Sequence, residues 1–278
     1  MIQLRKLFTP VESLDAAEAQ AFMNARPEGG YTLLDVRQPG EYEAEHLPGA
    51  RLIPLPELPS SLERLAAGQP VMVYCAIGGR SRVAAQLLAG QGFKEVYNLK
   101  GGIKAWHGAK AAGPSELNLD LVRGDAGQGE ILVLAYGMER SLQIFYLTLG
   151  EKAQDQQVAA LFQKLAAVEE RHLQLLLELE KPIDPAMDLP ALAAQTSPGI
   201  LEGGFEAQEF IRKNEPYLQT VTGVLEMAMM LETQALDLYL RLAGKLARED
   251  AKQTLFKIAA EEKAHLAALG RLLEEKAG

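Results

Sequence analysis

The chain has 278 residues, a formal charge of −9 and one cysteine; this is room for two domains, and it excludes a disulfide framework, a Cys₄ zinc or rubredoxin-type site and a CxxC redox pair. The charge is uneven, with 12 Lys and Arg against 11 Asp and Glu up to Ser115 and 16 against 26 beyond it, so the acidic second half argues against nucleic acid or an anionic membrane as partner. MIQLRKLFTP lacks a signal-peptide core and no apolar stretch reaches membrane-spanning length, which makes a cytoplasmic protein the expectation.

In chain order, YTLLDVR (31–37), VMVYCA (71–76) and EVYNL (95–99) read as buried strands, and Leu14–Ala25 and Ser81–Gly90 as helices between them. PGEYEAEHLPGA is turn-rich. Alternation of this kind predicts an α/β domain over residues 1–110, with a mainly parallel sheet and flanking helices. YCAIGGRSR (74–82) falls where a strand passes into a helix. Backbone N–H groups of Ala76, Ile77, Gly78, Gly79 and Ser81, with the helix dipole, would surround the Cys75 sulfur, lower its pKa and stabilise an anion. Arg80 adds a positive charge for an incoming anionic group. The plain alternative is a buried cysteine that only packs.

This loop, together with LLDVR (33–37), EHLPGA (45–50) and NLKGGIKAW (98–106), resembles a single-domain rhodanese. The resemblance implies sulfur transfer. Cys75 attacks a thiosulfate or persulfide donor, holds a persulfide, and passes it to a thiol or cyanide acceptor. By the same match Arg80 binds the donor's anionic part, Asp35 and Arg37 support the loop, His46 is structural, and Trp106 is a packing anchor. Phosphatases and arsenate reductases of related shape need Cys-x₅-Arg; here Arg80 makes Cys-x₄-Arg and Ser81 follows, which disfavours phosphate chemistry.

Residues 111–128, rich in Gly, Ala and Ser and containing Pro114, read as a linker. From there to residue 278 the texture is all-α. Amphipathic patterns cover 130–149, 156–180, 217–246 and 249–275, and the one long interval, 181–216, holds Pro182, Pro185, Pro190 and Pro198 and a short helix near Phe205–Lys213. Four long helices with a long crossover between the second and third match ferritin-like wiring of a four-helix bundle. An internal repeat supports this: Glu139, Tyr146, Glu169 and His172 recur 93 residues on as Glu232, Tyr239, Glu262 and His265. Glu169 and His172, like Glu262 and His265, are three apart and share a helix face. With one Glu from each of the other two helices, Glu139 and Glu232, they form the two-metal carboxylate pattern. Tyr146 and Tyr239 lie two turns beyond their glutamates, either packing or hydrogen-bonding behind the ligands.

These residues resemble the rubrerythrin branch of the ferritin-like superfamily over roughly 125–278. The resemblance implies a di-iron centre, with manganese or zinc as alternative metals, reacting with peroxide or oxygen. Electrons would come from an external donor such as a rubredoxin-like protein, since one cysteine cannot build that domain. The family usually adds a glutamate three residues after the third-helix ligand; here that position is Ala235. The expected protein is a bifunctional sulfurtransferase and di-iron oxidoreductase. The alternatives are a rhodanese whose bundle only binds or stores iron, and a sulfur or redox sensor built on Cys75. A homodimer through apolar helix faces is a further expectation.

Overall fold

The computed structural model describes residues 10–196 and 199–277; the stretch 1–9, where a signal-peptide core was sought, and Pro198 lie outside them. The chain divides into two units, Met1–Leu117 and Asn118–Gly278.

The first unit runs β1 (Glu12–Leu14), α1 (Ala16–Asn24), β2 (Thr32–Asp35), α2 (Pro39–Ala44), β3 (Arg51–Leu52), β4 (Val71–Tyr74), α3 (Gly79–Gly90) and β5 (Val96–Leu99). The strands form one sheet in the order β1-β5-β4-β2-β3, every pairing parallel. All four residues of β4 are buried. Val71 and Val73 enter one core with Leu34, Ala84 and Leu88, while Met72 and Tyr74 enter the other with Leu33, Leu99 and Trp106. The period of two places alternate side chains on opposite faces, so a continuous apolar run marks a strand covered on both sides.

The helix expected from Leu14 starts at Ala16, because Leu14 pairs with Leu99 and Asp15 caps the helix. The Asp15 side chain accepts from the Glu18 N–H at 2.9 Å, and Glu18 accepts in return from the Asp15 N–H at 2.9 Å. Edge strands β1 and β3 and helix α2 are too short to show a period.

Asp35 ends β2 fully buried, and Arg37 clamps it: Nε donates to Oδ1 and Oδ2 at 3.0 and 2.9 Å, and Nη2 to Oδ2 at 2.7 Å. Arg37 Nη2 also donates to the Glu45 carbonyl at 2.6 Å. Arg37→Ala would leave a buried carboxylate without its cation, and the expected cost is about 3–5 kcal/mol of stability, read by denaturant unfolding. A loss under about 1 kcal/mol would contradict it.

Residues 111–128, read as a linker, are tied down at both ends. Ala111 exchanges two backbone hydrogen bonds with His46 at 2.8 Å, and the Gly113 N–H donates to the Glu43 carbonyl at 2.8 Å. Further on, Lys245 Nζ donates to the Val122 carbonyl, and the Ala247 N–H to that of Gly124 at 2.8 Å.

The second unit holds α4 (Gln128–Lys152), α5 (Gln156–Glu180), α6 (Leu189–Thr196), β6 (Ile200–Leu201), β7 (Phe205–Glu206), α7 (Ala207–Asn214), α8 (Val221–Lys245) and α9 (Glu249–Ala277). Helix α4 pairs with α5 and α8 with α9, and the two pairs pack into a bundle. Side-chain caps begin two of the four. Asp155 accepts from the Gln157 and Val158 N–H groups at 2.8 and 3.0 Å, and Thr220 from that of Gly223 at 3.1 Å. The crossover carries α6 and a two-stranded antiparallel β6-β7 pair, neither expected, since segments of eight and two residues between prolines and glycines carry no period. No helix among the described residues is long and apolar enough to cross a membrane.

Candidate functional site

Cys75 follows β4 directly, at the carboxyl end of the sheet's central strand, where loops of parallel sheets hold ligands. The loop then turns through Gly78, whose φ of +93° is a left-handed conformation that glycine adopts without strain, and α3 begins at Gly79. That start is two residues earlier than the apolar pattern indicated. The turn brings the Gly78 N–H to 3.1 Å from Cys75 Sγ and the Ser81 hydroxyl to 3.4 Å. Burial raises the Cys75 pKa, but the Ser81 hydroxyl and the Ser81, Ile77 and Gly78 N–H groups outweigh it, and the thiol lies below its ordinary value. The sulfur is buried while Ile77, at the loop tip, is 68% exposed.

A second loop braces the first. The Ile103 N–H donates to the Cys75 carbonyl at 2.8 Å and that of Lys104 to the Ala76 carbonyl at 3.2 Å. Gly102 makes the approach feasible: at φ +61° a Cβ there would stand 2.2 Å from the Cys75 carbonyl oxygen. This gives NLKGGIKAW a physical role. Asn98 from the same stretch accepts from Ser81 Oγ at 2.6 Å, and its amide donates to Ser13 at 3.1 Å. Ala76 and Gly79 complete the turn. His46 is buried against Tyr42, its ring stacked 3.7 Å away, and Trp106 packs in the core.

Arg80 does not stand open. Its Nη1 and Nη2 donate to the two oxygens of Glu41 at 2.7 and 2.6 Å. Hydrogen bonding to Arg80 holds the Glu41 carboxyl down at about 2. Sequence reasoning missed Glu41, because it lies 39 residues away in a segment read as turn; no local spacing announces such a pair.

In the second unit Glu139 projects from α4, Glu169 and His172 from α5, Glu232 from α8, and Glu262 and His265 from α9. The structure brings all six together. His172 Nδ1 is 3.2 Å from Glu139 Oε1 and 3.3 Å from Glu169 Oε2, and His265 Nδ1 is 3.1 Å from Glu232 Oε1. The imidazole rings meet edge to face at 5.1 Å. Three triads have ligand atoms mutually within 4.8 Å: Glu169, His172 and His265; Glu139, His172 and Glu262; Glu232, Glu262 and His265. The four carboxylates are fully or almost fully buried, while the His172 side chain keeps 13% exposure.

Such a cluster fits two divalent cations. Four carboxylates balance four positive charges, and burying them with no cation is costly. Glu169 Oε1 and His265 Nε2 have no hydrogen-bond partner among the described residues. Burial, and then the Glu232 carboxylate, push the Glu262 carboxyl well above its usual range, and burial brings His265 down to about 4. A neutral imidazole keeps the lone pair that a metal needs. Tyr146 and Tyr239 are wholly buried, as is Ala235, so no carboxylate occupies that position.

Residues 16–109 match the rhodanese-like domain and residues 130–273 match rubrerythrin. An uncharacterized Bacillus subtilis protein, YqhL, is 47% identical over 76 residues, which cover 27% of this chain and 60% of that protein. A chloroplastic Arabidopsis thaliana rhodanese-like/PpiC domain-containing protein is 42% identical over 78 residues, 27% of this chain and 26% of its own. The chain thus spans less than two thirds of the length of either. Among solved structures, a rhodanese-like domain protein from Staphylococcus aureus is 27% identical, covering 34% of this chain and 91% of that one with a TM-score of 0.32. A rhodanese with anions from E. coli is 33% identical, covering 30% and 99% with a TM-score of 0.27.

Proposed function

Because the chain belongs to the rubrerythrin family and carries a rhodanese-like domain ahead of its rubrerythrin domain, we propose that it is a bifunctional enzyme, a sulfurtransferase acting through Cys75 and a di-iron oxidoreductase acting on peroxide or oxygen. The sulfurtransferase half rests on the Cys75 sulfur lying under the Gly78 N–H, with the Ile77 and Ser81 N–H groups beside it. Those donors favour the thiolate, which attacks the donor's outer sulfur. A bond from Sγ to that sulfur forms, the donor's own S–S bond breaks, and its leaving group departs with the electron pair. The N–H groups that held the thiolate then face the persulfide, whose outer sulfur an acceptor thiolate attacks, returning Cys75 to its starting state.

The oxidoreductase half rests on the three interlocking triads. Glu139, Glu169, Glu232, Glu262, His172 and His265 would hold two irons, which when bound supply electrons to peroxide or oxygen. The bundle's part is to hold these donors in place, with the four carboxylates buried away from bulk water. Recharging electrons would come from a separate rubredoxin-like protein.

The buried Ala235 favours a second reading, in which the bundle holds iron without turning over peroxide. One experiment addresses both halves. Protein incubated with a sulfane donor should gain one sulfur on Cys75 by mass spectrometry and release it to cyanide. Reduced iron-loaded protein should oxidise rapidly with peroxide and turn over when a reductant is supplied. Slow oxidation without turnover selects the iron-holding module, and absence of the sulfur adduct removes the sulfurtransferase reading.

A further inference from the structure

Residues 75–81 carry a single cation, Arg80. In a loop that receives a negatively charged sulfur donor, that guanidinium is the group expected to meet the charge. Here both of its donor edges that reach Glu41 are occupied by a bidentate pair at 2.6 and 2.7 Å. The carboxylate is itself anchored, since Glu41 Oε2 also accepts from the Gln38 N–H at 3.1 Å at the start of α2. Opening the pair therefore means breaking bonds fixed at one end to a helix start and at the other to the cysteine loop. Glu41 stays ionised at any working pH, its carboxyl held at about 2 by the Arg80 hydrogen bonds. The pair is about one-third exposed on each side, 36% and 36%, so a dissolved donor can meet its charges. Beside it the loop tip offers an apolar side chain, the exposed Ile77.

We infer that Glu41 sets the donor preference of the Cys75 loop: by cancelling the loop's one cation it turns the site away from the thiosulfate dianion and toward an organic persulfide of low net charge. This rests on the sulfurtransferase reading above and names the substrate class of that same site. The step is balanced. Cys75 Sγ bonds to the outer sulfur of the persulfide, the persulfide S–S bond breaks, and the organic thiolate leaves with the electron pair and takes up a proton from water. With thiosulfate the same step expels sulfite, and the incoming dianion meets both the Cys75 thiolate and the Glu41 carboxylate, with Arg80 already paired to Glu41.

The test is the rate of sulfur addition to Cys75 in the full-length protein, with thiosulfate and with cysteamine persulfide, expressed as the ratio of the two. Glu41→Gln frees Arg80 and should raise the thiosulfate-to-persulfide ratio about ten-fold, the size expected for removing one charge near a dianion at a half-exposed site. The double substitution Glu41→Gln with Arg80→Gln removes the pair as a neutral unit and should keep the ratio within about two-fold of the starting protein. A folding defect lowers both rates together and leaves the ratio alone, so the ratio separates selection from structure. An unchanged ratio in Glu41→Gln overturns the inference. So does a double variant that selectively loses thiosulfate, because Arg80 would then have been open to the donor. If Glu41→Gln fails to fold, Glu41→Ala, which frees Arg80 in the same way, is read in its place by the same ratio. Absence of sulfur on Cys75 from either donor is a different result and defeats the underlying reading instead.

Discussion

Glu262→Ala is expected to strip both metal ions from the bundle, whereas Glu139→Ala removes about one of the roughly two that the wild-type chain should carry. The asymmetry comes from the geometry. Glu262 belongs to two of the three triads, one with Glu139 and His172 and the other with Glu232 and His265. It is the carboxylate common to both ends of the cluster, and Glu139 serves one end only. Metal analysis of the two variants after iron loading checks this; equal metal loss in both would contradict it.

The same residue should act with opposite sign when no metal is bound. The Glu262 carboxyl is pushed well above its usual range by burial and then by Glu232. A carboxyl whose folded pKa exceeds its unfolded value of about 4.3 binds its proton more tightly in the folded state, so it costs no stability below that value and progressively more as pH rises toward the folded pKa. In metal-free protein the Glu262 contribution should therefore lower stability near pH 7 relative to pH 5, against the opposite contribution of His265, whose pKa burial brings down to about 4, and Glu262→Gln should remove the Glu262 part. With metal bound, the order reverses, since the substitution removes a ligand and the binding energy that stabilised the fold. Thermal unfolding of both proteins, with and without chelator, supplies the comparison.

The second large effect is at the cysteine. Cys75→Ser should abolish sulfur addition, because a hydroxyl of far higher pKa replaces the only thiol. More informative is Gly102→Ala, which leaves every reacting group in place. Its Cβ would stand 2.2 Å from the Cys75 carbonyl oxygen and 2.6 Å from the carbonyl carbon and oxygen of Ala76. Backbone atoms on the receiving side cannot rotate away as a flexible side chain would. The cysteine loop must shift, breaking the Ile103 and Lys104 hydrogen bonds that brace it. A displacement of order 1 Å in a reacting group costs about 100-fold in rate, and strain of this kind costs about 1–3 kcal/mol in stability. Wild-type kinetics in Gly102→Ala would show that the brace does not position the sulfur.

Much was legible in one dimension. Residues three apart on a regular helix share a face wherever the helix goes, so Glu-x-x-His and its repeat 93 residues on identified four of the six clustered side chains, and the matched glutamates thirty residues before them supplied Glu139 and Glu232. Short apolar runs likewise located β2, β4 and β5, and β4, buried at all four positions, is apolar throughout. The cysteine loop was readable for a similar reason: strand, glycine turn and helix are consecutive, and their N–H groups converge on whatever residue ends the strand.

Short elements left no such mark. Strands β1 and β3, helix α2 and the crossover segments α6, β6 and β7 are ordered by what they pair with, and eight residues or fewer cannot establish a period. Interactions between residues distant in the chain were equally invisible. The Glu41–Arg80 pair joins two helix starts, and Gly102 answers to the Cys75 carbonyl across a loop-to-loop contact that exists only once β4 and β5 are side by side. The sequence by itself thus determined which groups carry the chemistry, since their identities and spacings are local. Only the tertiary structure decided how they are charged and held, because an ion pair or steric approach is a property of distance in space.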